Sequence, residues 1–173
     1  MTILFPFGII QSQGKERKVN KMVKEINFDM DGTLVDFYGV DGWLSYLQNE
    51  DITPYSEARP LVNMSVLARL IHELQKQGWK INIISWTSKM GSANFNRQVT
   101  FAKYRWLRLH LPSVDFDDIY IIPYGTPKSS RGQGILFDDE IANCIEWLGG
   151  DNKAYSEPSC ILATLRKLKN RGW

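Results

Sequence analysis

Apolar residues along the chain fall into two alternating rhythms. Short unbroken runs, Ile26 to Phe28, Trp79 to Ser85 ("WKINIIS"), "DIYIIP" and "ILFDD", predict four buried strands. Between them the spacing becomes helical. Val66, Leu67, Leu70, Ile71 and Leu74 predict a helix from Asn63 that Gly78 stops. Val99, Ala102 and Trp106 share one face of a longer helix, Ala93 to His110, which ends before Pro112. "EIANCIEWL" reads as a helix broken by Gly149 and Gly150, "KAY" as a short fifth strand, and Pro158 opens a final helix. Strands alternating with helices predict an α/β, Rossmann-like three-layer sandwich with a mostly parallel sheet. A short aromatic insert over about 37–60 interrupts it, with "GWLSYL" as a helical turn.

Composition narrows the picture without redirecting it. The chain's 173 residues suffice for one domain with a full core, expected over 22–173. A net charge of +2 gives no reason to expect nucleic acid or an anionic membrane as partner. Cys144 and Cys160 each sit inside an apolar helical pattern, as small core residues of a reduced, cytoplasmic protein would. The opening "MTILFPFGII" is too short to span a bilayer and lacks the basic start and cleavage site of a signal peptide. With the polar "QSQGKERKVNK" after it, residues 1–21 are expected to form a flexible leader.

Chemistry enters at the strand ends. In "INFDMDGTLVDF" the first strand finishes on Asp29 and Asp31, which share a side and repel each other. The fourth strand finishes on Asp138 and Asp139, the second on Ser85, and Lys128 follows the third. Ligands of open parallel sheets bind beyond the carboxyl ends of the strands, so these groups share one rim. Four carboxylates on one crevice call for a cation, and an all-oxygen set suits Mg²⁺. The lysine and a hydroxyl would complete a phosphate site, and Gly32 would let the backbone turn sharply toward it.

These residues resemble a known family. "DMDGTLVD", Ser85 after "INII", Lys128 in "GTPKSS" and "FDDE" resemble, in order, the four motifs of the haloacid dehalogenase-like phosphohydrolases, over about residues 24–156. DxDGT alone arises by chance at on the order of one in 10⁵ positions. The resemblance implies a Mg²⁺-dependent phosphomonoesterase in which Asp29 is the nucleophile and Asp31 the acid and base. Ser85 and Lys128 would hold the phosphoryl oxygens, with Thr87 as the alternative hydroxyl if the strand runs longer. The metal would take the Asp29 carboxylate, the Asp31 main-chain carbonyl and Asp138, with Asp139 close by. Gly32, Thr33 and Phe37 complete the expected substrate contacts. "DMDGTLVDFYG", "KYRWLRLHLP" and "ILFDDE" look most like the 5′(3′)-deoxyribonucleotidase branch, implying a nucleoside monophosphate as the small phosphorylated metabolite. The branch carries a larger cap than 37–60 provides, which leaves a polynucleotide-end phosphatase or a non-catalytic binding module as alternatives.

Overall fold

The computed structural model describes residues 23–171, so the expected leader over 1–21 lies outside the described residues. Five strands, β1 (Glu25–Phe28), β2 (Lys80–Trp86), β3 (Asp118–Ile122), β4 (Ile135–Phe137) and β5 (Lys153–Tyr155), form one sheet in the order β3-β2-β1-β4-β5. Every neighbouring pair is parallel. Helices α1 (Trp43–Gln48) and α2 (Thr53–Glu57) make up the insert. The others are α3 (Met64–Lys76), α4 (Ala93–His110), α5 (Ile141–Trp147) and α6 (Ile161–Arg171).

Connection handedness explains the layers. The chain steps from β1 outward to β3, so α3 and α4 lie on one face of the sheet. It then recrosses to β4, so α5 lies on the other. On the first face Ile26, Phe28, Ile83 and Phe137 pack with the apolar stripes of α3, α4 and α6. The second face is thinner, with Ile84, Ile122, Leu136 and Trp147 as its buried cluster. Polar side chains fill the space that none of the described helices covers there. Asn82 Nδ2 donates to Asn27 Oδ1 at 3.0 Å, and Asn27 Nδ2 donates to the Gln133 carbonyl at 2.8 Å.

Local chemistry sets the helix ends. Asn63 caps α3 by accepting from the Val66 amide at 3.0 Å, and Ser92 caps α4 by accepting from the Phe95 amide at 3.2 Å. The insert is tied down where Trp106 Nε1 of α4 donates to the Ala58 carbonyl at 2.8 Å.

Some boundaries differ from the sequence reading, three of them in β2, β4 and α6. β2 runs through Ser85 to Trp86, because Ser85 and Trp86 still pair with Ile121 and Ile122. β4 stops at Phe137, which leaves Asp138 and Asp139 beyond the strand. Pro158 opens a 3-10 turn, Pro158–Cys160, and α6 begins only after it.

Candidate active site

The strand order reverses at β1, whose neighbours are β2 and β4. A crevice opens at such a switch point, because the connections on either side leave to opposite faces. Both acidic pairs stand there. The Asp29 amide donates to the Phe137 carbonyl at 2.8 Å, extending the β1–β4 ladder by one residue and fixing the nucleophile candidate beside Asp138. Asp29, Asp138 and Asp139 each offer a carboxylate oxygen, and the three lie within 4.8 Å of one another.

Two buried lysines divide the aspartates between them. Lys128, in the 3-10 turn Lys128–Ser130, reaches Asp29 Oδ1 at 2.8 Å and also pairs with Asp138 Oδ2. Lys103, on α4, donates to Asp31 Oδ2 at 2.6 Å, to Ser85 Oγ at 2.8 Å and to the Trp86 carbonyl at 2.8 Å. Both lysines are 1% exposed. Burial alone would pull Lys128 down, but Asp29 and Asp138 outweigh it and hold its ammonium above the ordinary lysine value.

Neutral donors hold the other oxygen of Asp138 and one oxygen of Asp139. Asp138 Oδ1 accepts from the Glu140 amide at 3.0 Å and from Asn143 Nδ2 at 3.1 Å. Asp139 is bracketed by Thr33, whose hydroxyl donates to Asp139 Oδ1 at 3.1 Å and accepts from the Asp139 amide at 3.0 Å. Gly32 has φ of +76°, and a β-carbon there would collide with the Asp139 carboxylate. Glycine is thus required twice over.

Charge balance within the cluster identifies what it can hold. Burial, then repulsion by Asp29, pushes Asp138 up to about 6 and Asp139 up to about 7. Burial likewise raises Asp31, with Lys103 opposing the rise and Asp29 adding to it. Carboxylates raised this far above their ordinary range are short of positive charge. Three converging hard oxygens of this kind fit a divalent cation such as Mg²⁺.

Around the cluster lies a cleft of about 430 Å³. Its walls are aromatic on two sides. Tyr38 and Trp43 of the insert stand at 5.1 Å between ring centroids, and Trp86 and Tyr124 at 4.7 Å. Asp29, Asp31, Ser85, Thr87, Lys128, Asp138 and Asp139 all line it, so the structure brings together the groups expected from the sequence.

Other expected site residues are engaged within the protein itself. Thr33 is 1% exposed, and its hydroxyl is engaged by Asp139. The Gly32 amide donates to the Val35 carbonyl at 2.8 Å and is spent within its own turn. Phe37 lines the cleft but is 3% exposed, packed on Tyr38, Trp43 and Tyr55, while its neighbour Tyr38 is 53% exposed. The Asp31 carboxylate turns to Lys103, outside the three-carboxylate cluster. β2 runs on to Trp86, and Thr87 follows it at the cleft. Ser85 lies within the strand, engaged by Lys103.

Lys103, Asn143, Trp86 and Tyr124 were not singled out from the sequence. Lys103 had a signal: with Val99 and Trp106 it falls at i, i+4, i+7 on the buried stripe of α4, where a charge demands a partner.

No family model matches the chain, and no curated protein matches it. Among solved structures, a D,D-heptose 1,7-bisphosphate phosphatase from Burkholderia thailandensis is similar, with a TM-score of 0.52 at 10% identity. The match covers 86% of this chain and 99% of that one. Another, from B. bronchiseptica and complexed with magnesium and phosphate, gives a TM-score of 0.49 at 12% identity over 84% and 99%. The first shares the α/β fold of this chain, a parallel sheet with helices on both faces. Among the described residues no helix is long and apolar enough to cross a membrane.

Proposed function

We propose that this chain is a Mg²⁺-dependent phosphomonoester hydrolase working through an aspartyl-phosphate, with nucleoside monophosphates as its substrate class. The observation that carries the reading is the placement of Asp29, paired with a buried lysine and clustered with Asp138 and Asp139, at the switch point of the sheet. Binding modules have no need of carboxylates held in such mutual repulsion.

In the reaction an Asp29 oxygen attacks phosphorus while Asp31 gives its proton to the departing alkoxide oxygen. The P–O bond to the alcohol breaks as the Asp29–phosphorus bond forms. Asp31, now a carboxylate, takes a proton from water, whose oxygen attacks phosphorus and releases Asp29 and inorganic phosphate. Lys128 offsets the charge between nucleophile and phosphate. Asp29, Asp138 and Asp139, with the Asp31 carbonyl, would hold Mg²⁺, which when bound supplies positive charge against the phosphoryl oxygens. The Thr87 hydroxyl, just beyond β2, is the better placed of the two candidates to donate to phosphate.

The aromatic walls favour a nucleotide over a sugar phosphate, because a base offers a flat face to Tyr38 or Trp86 and a sugar does not. Cys144 and Cys160 are both free, and burial pushes the Cys144 thiol up to about 11, as suits an inert thiol in a cytoplasmic protein. A phosphate-release screen over nucleotides, sugar phosphates and oligonucleotide ends, with Mg²⁺ and with chelator, tests the whole reading. Release from nucleoside monophosphates that chelator abolishes is the expected result. Equal activity with chelator would defeat the metal assignment, and faster release from sugar phosphates the substrate class.

A further inference from the structure

Lys103 is the group that the proposed reaction leaves without a task. It is 1% exposed, projects from the middle of α4, and lies over the Tyr55 ring at 5.3 Å. Burying an ammonium is costly unless its protons all find acceptors. Here they do: Asp31 Oδ2, Ser85 Oγ and the Trp86 carbonyl take one each. With three protons and three acceptors in the protein, Lys103 has none left for a phosphoryl oxygen. It cannot be a second phosphate-binding cation.

What it joins is informative. Asp31 sits in the turn after β1, and Ser85 and Trp86 end β2, so one side chain fixes two neighbouring strand ends to each other. The bond to Asp31 consumes Oδ2 and leaves Oδ1 as the oxygen for the leaving group. The bond to the Trp86 carbonyl fixes the residue from which Thr87 enters the cleft. Lys128 does none of this, since its partners are Asp29 and Asp138.

We infer that Lys103 is a positioning residue for leaving-group protonation, holding the Asp31 carboxyl in the one orientation that faces the scissile oxygen. The inference rests on the proposed phosphatase reading. Lys128 and Lys103 then separate two tasks: one cation serves bond formation at Asp29, the other bond cleavage at Asp31.

The test compares leaving groups. A 4-nitrophenolate departs without protonation, whereas the alkoxide of a nucleoside 5′-monophosphate needs it. Lys103→Met should therefore lower kcat/KM on the nucleotide by about 100-fold more than on 4-nitrophenyl phosphate. Lys103→Met also strands the Asp31 charge and can weaken the fold. The pair Asp31→Asn with Lys103→Met removes both charges together and keeps the comparison valid. If Lys103 acts through Asp31, adding Lys103→Met to Asp31→Asn changes nucleotide turnover less than about threefold. Equal losses on both substrates, or additive losses in the pair, would overturn the inference. Absence of Mg²⁺-dependent release by the wild-type chain from either substrate would instead strike the phosphatase reading itself.

Discussion

Thr33 and Asp139 exchange hydrogen bonds across 106 positions of sequence. The Thr33 hydroxyl donates to Asp139 Oδ1 at 3.1 Å and accepts from the Asp139 amide at 3.0 Å. One hydroxyl fills both roles, as only Ser or Thr can in so small a space. The aspartate is thereby fixed by its main chain and its side chain together. Thr33→Val keeps the shape and removes both bonds. It should weaken apparent Mg²⁺ affinity by about 10- to 100-fold while the fold is retained, and Thr33→Ser should restore most of the loss. Mg²⁺ titration of activity decides; an unchanged midpoint would show that Asp139 needs no such support.

Asp29→Asn preserves size and removes the attacking oxygen's charge. Turnover should fall to background with the melting temperature within a few degrees of wild type. Substantial Mg²⁺-dependent activity in the purified variant would rule out the aspartyl-phosphate route.

Phe37 and Tyr38 are adjacent but should behave oppositely. Phe37→Ala empties a buried aromatic site and should cost about 3–5 kcal/mol of stability. Tyr38→Ala removes an exposed ring at the cleft and should leave the melting temperature nearly unchanged. It should raise KM for nucleotides more than for a small aryl phosphate. Thermal melts and paired KM measurements separate the two, and a stability loss at Tyr38 as large as at Phe37 would contradict the assignment.

Stability of the metal-free chain should depend on pH in an unusual direction. Asp138 and Asp139 are raised to about 6 and about 7 in the folded state, above the ordinary carboxylate value near 3.8. Between those limits the folded chain binds more protons than the unfolded one, so its stability falls as pH rises. Melting temperature in chelator should therefore drop from about pH 5 to pH 8. Saturating Mg²⁺, which competes with those protons, should stabilise most at the upper end. A melting profile that rises over this range in chelator would mean that the cluster is not short of positive charge.

The sheet was legible in the sequence because its strands are nearly unbroken apolar runs, and β1 announced the site because two carboxylates follow it directly. What escaped was whatever depends on distance in space. Asn143 reaches Asp138 from one turn into α5, and nothing in "EIANCIEWL" separates that asparagine from a solvated one. Lys103 was hidden by the arginines around it, which face solvent in the same helix. Ser85 lies inside β2 and Thr87 just beyond it, because one residue of strand length decides which hydroxyl follows the strand. That length is set by pairing with Ile121 and Ile122, not by β2 alone.

The central position of β1 also carries a consequence for synthesis on the ribosome. Its partner strand β4 is separated from it by more than a hundred residues, so a nascent chain ending before Ile135 leaves one edge of β1 unpaired. An open edge on an apolar strand is a template for association with other chains. The same chain already carries Asp29 and Asp31 beside that edge, and the two charges discourage such pairing until β4 arrives. The carboxylates proposed for chemistry in the finished protein thus stand where charge disfavours strand pairing in an unfinished one.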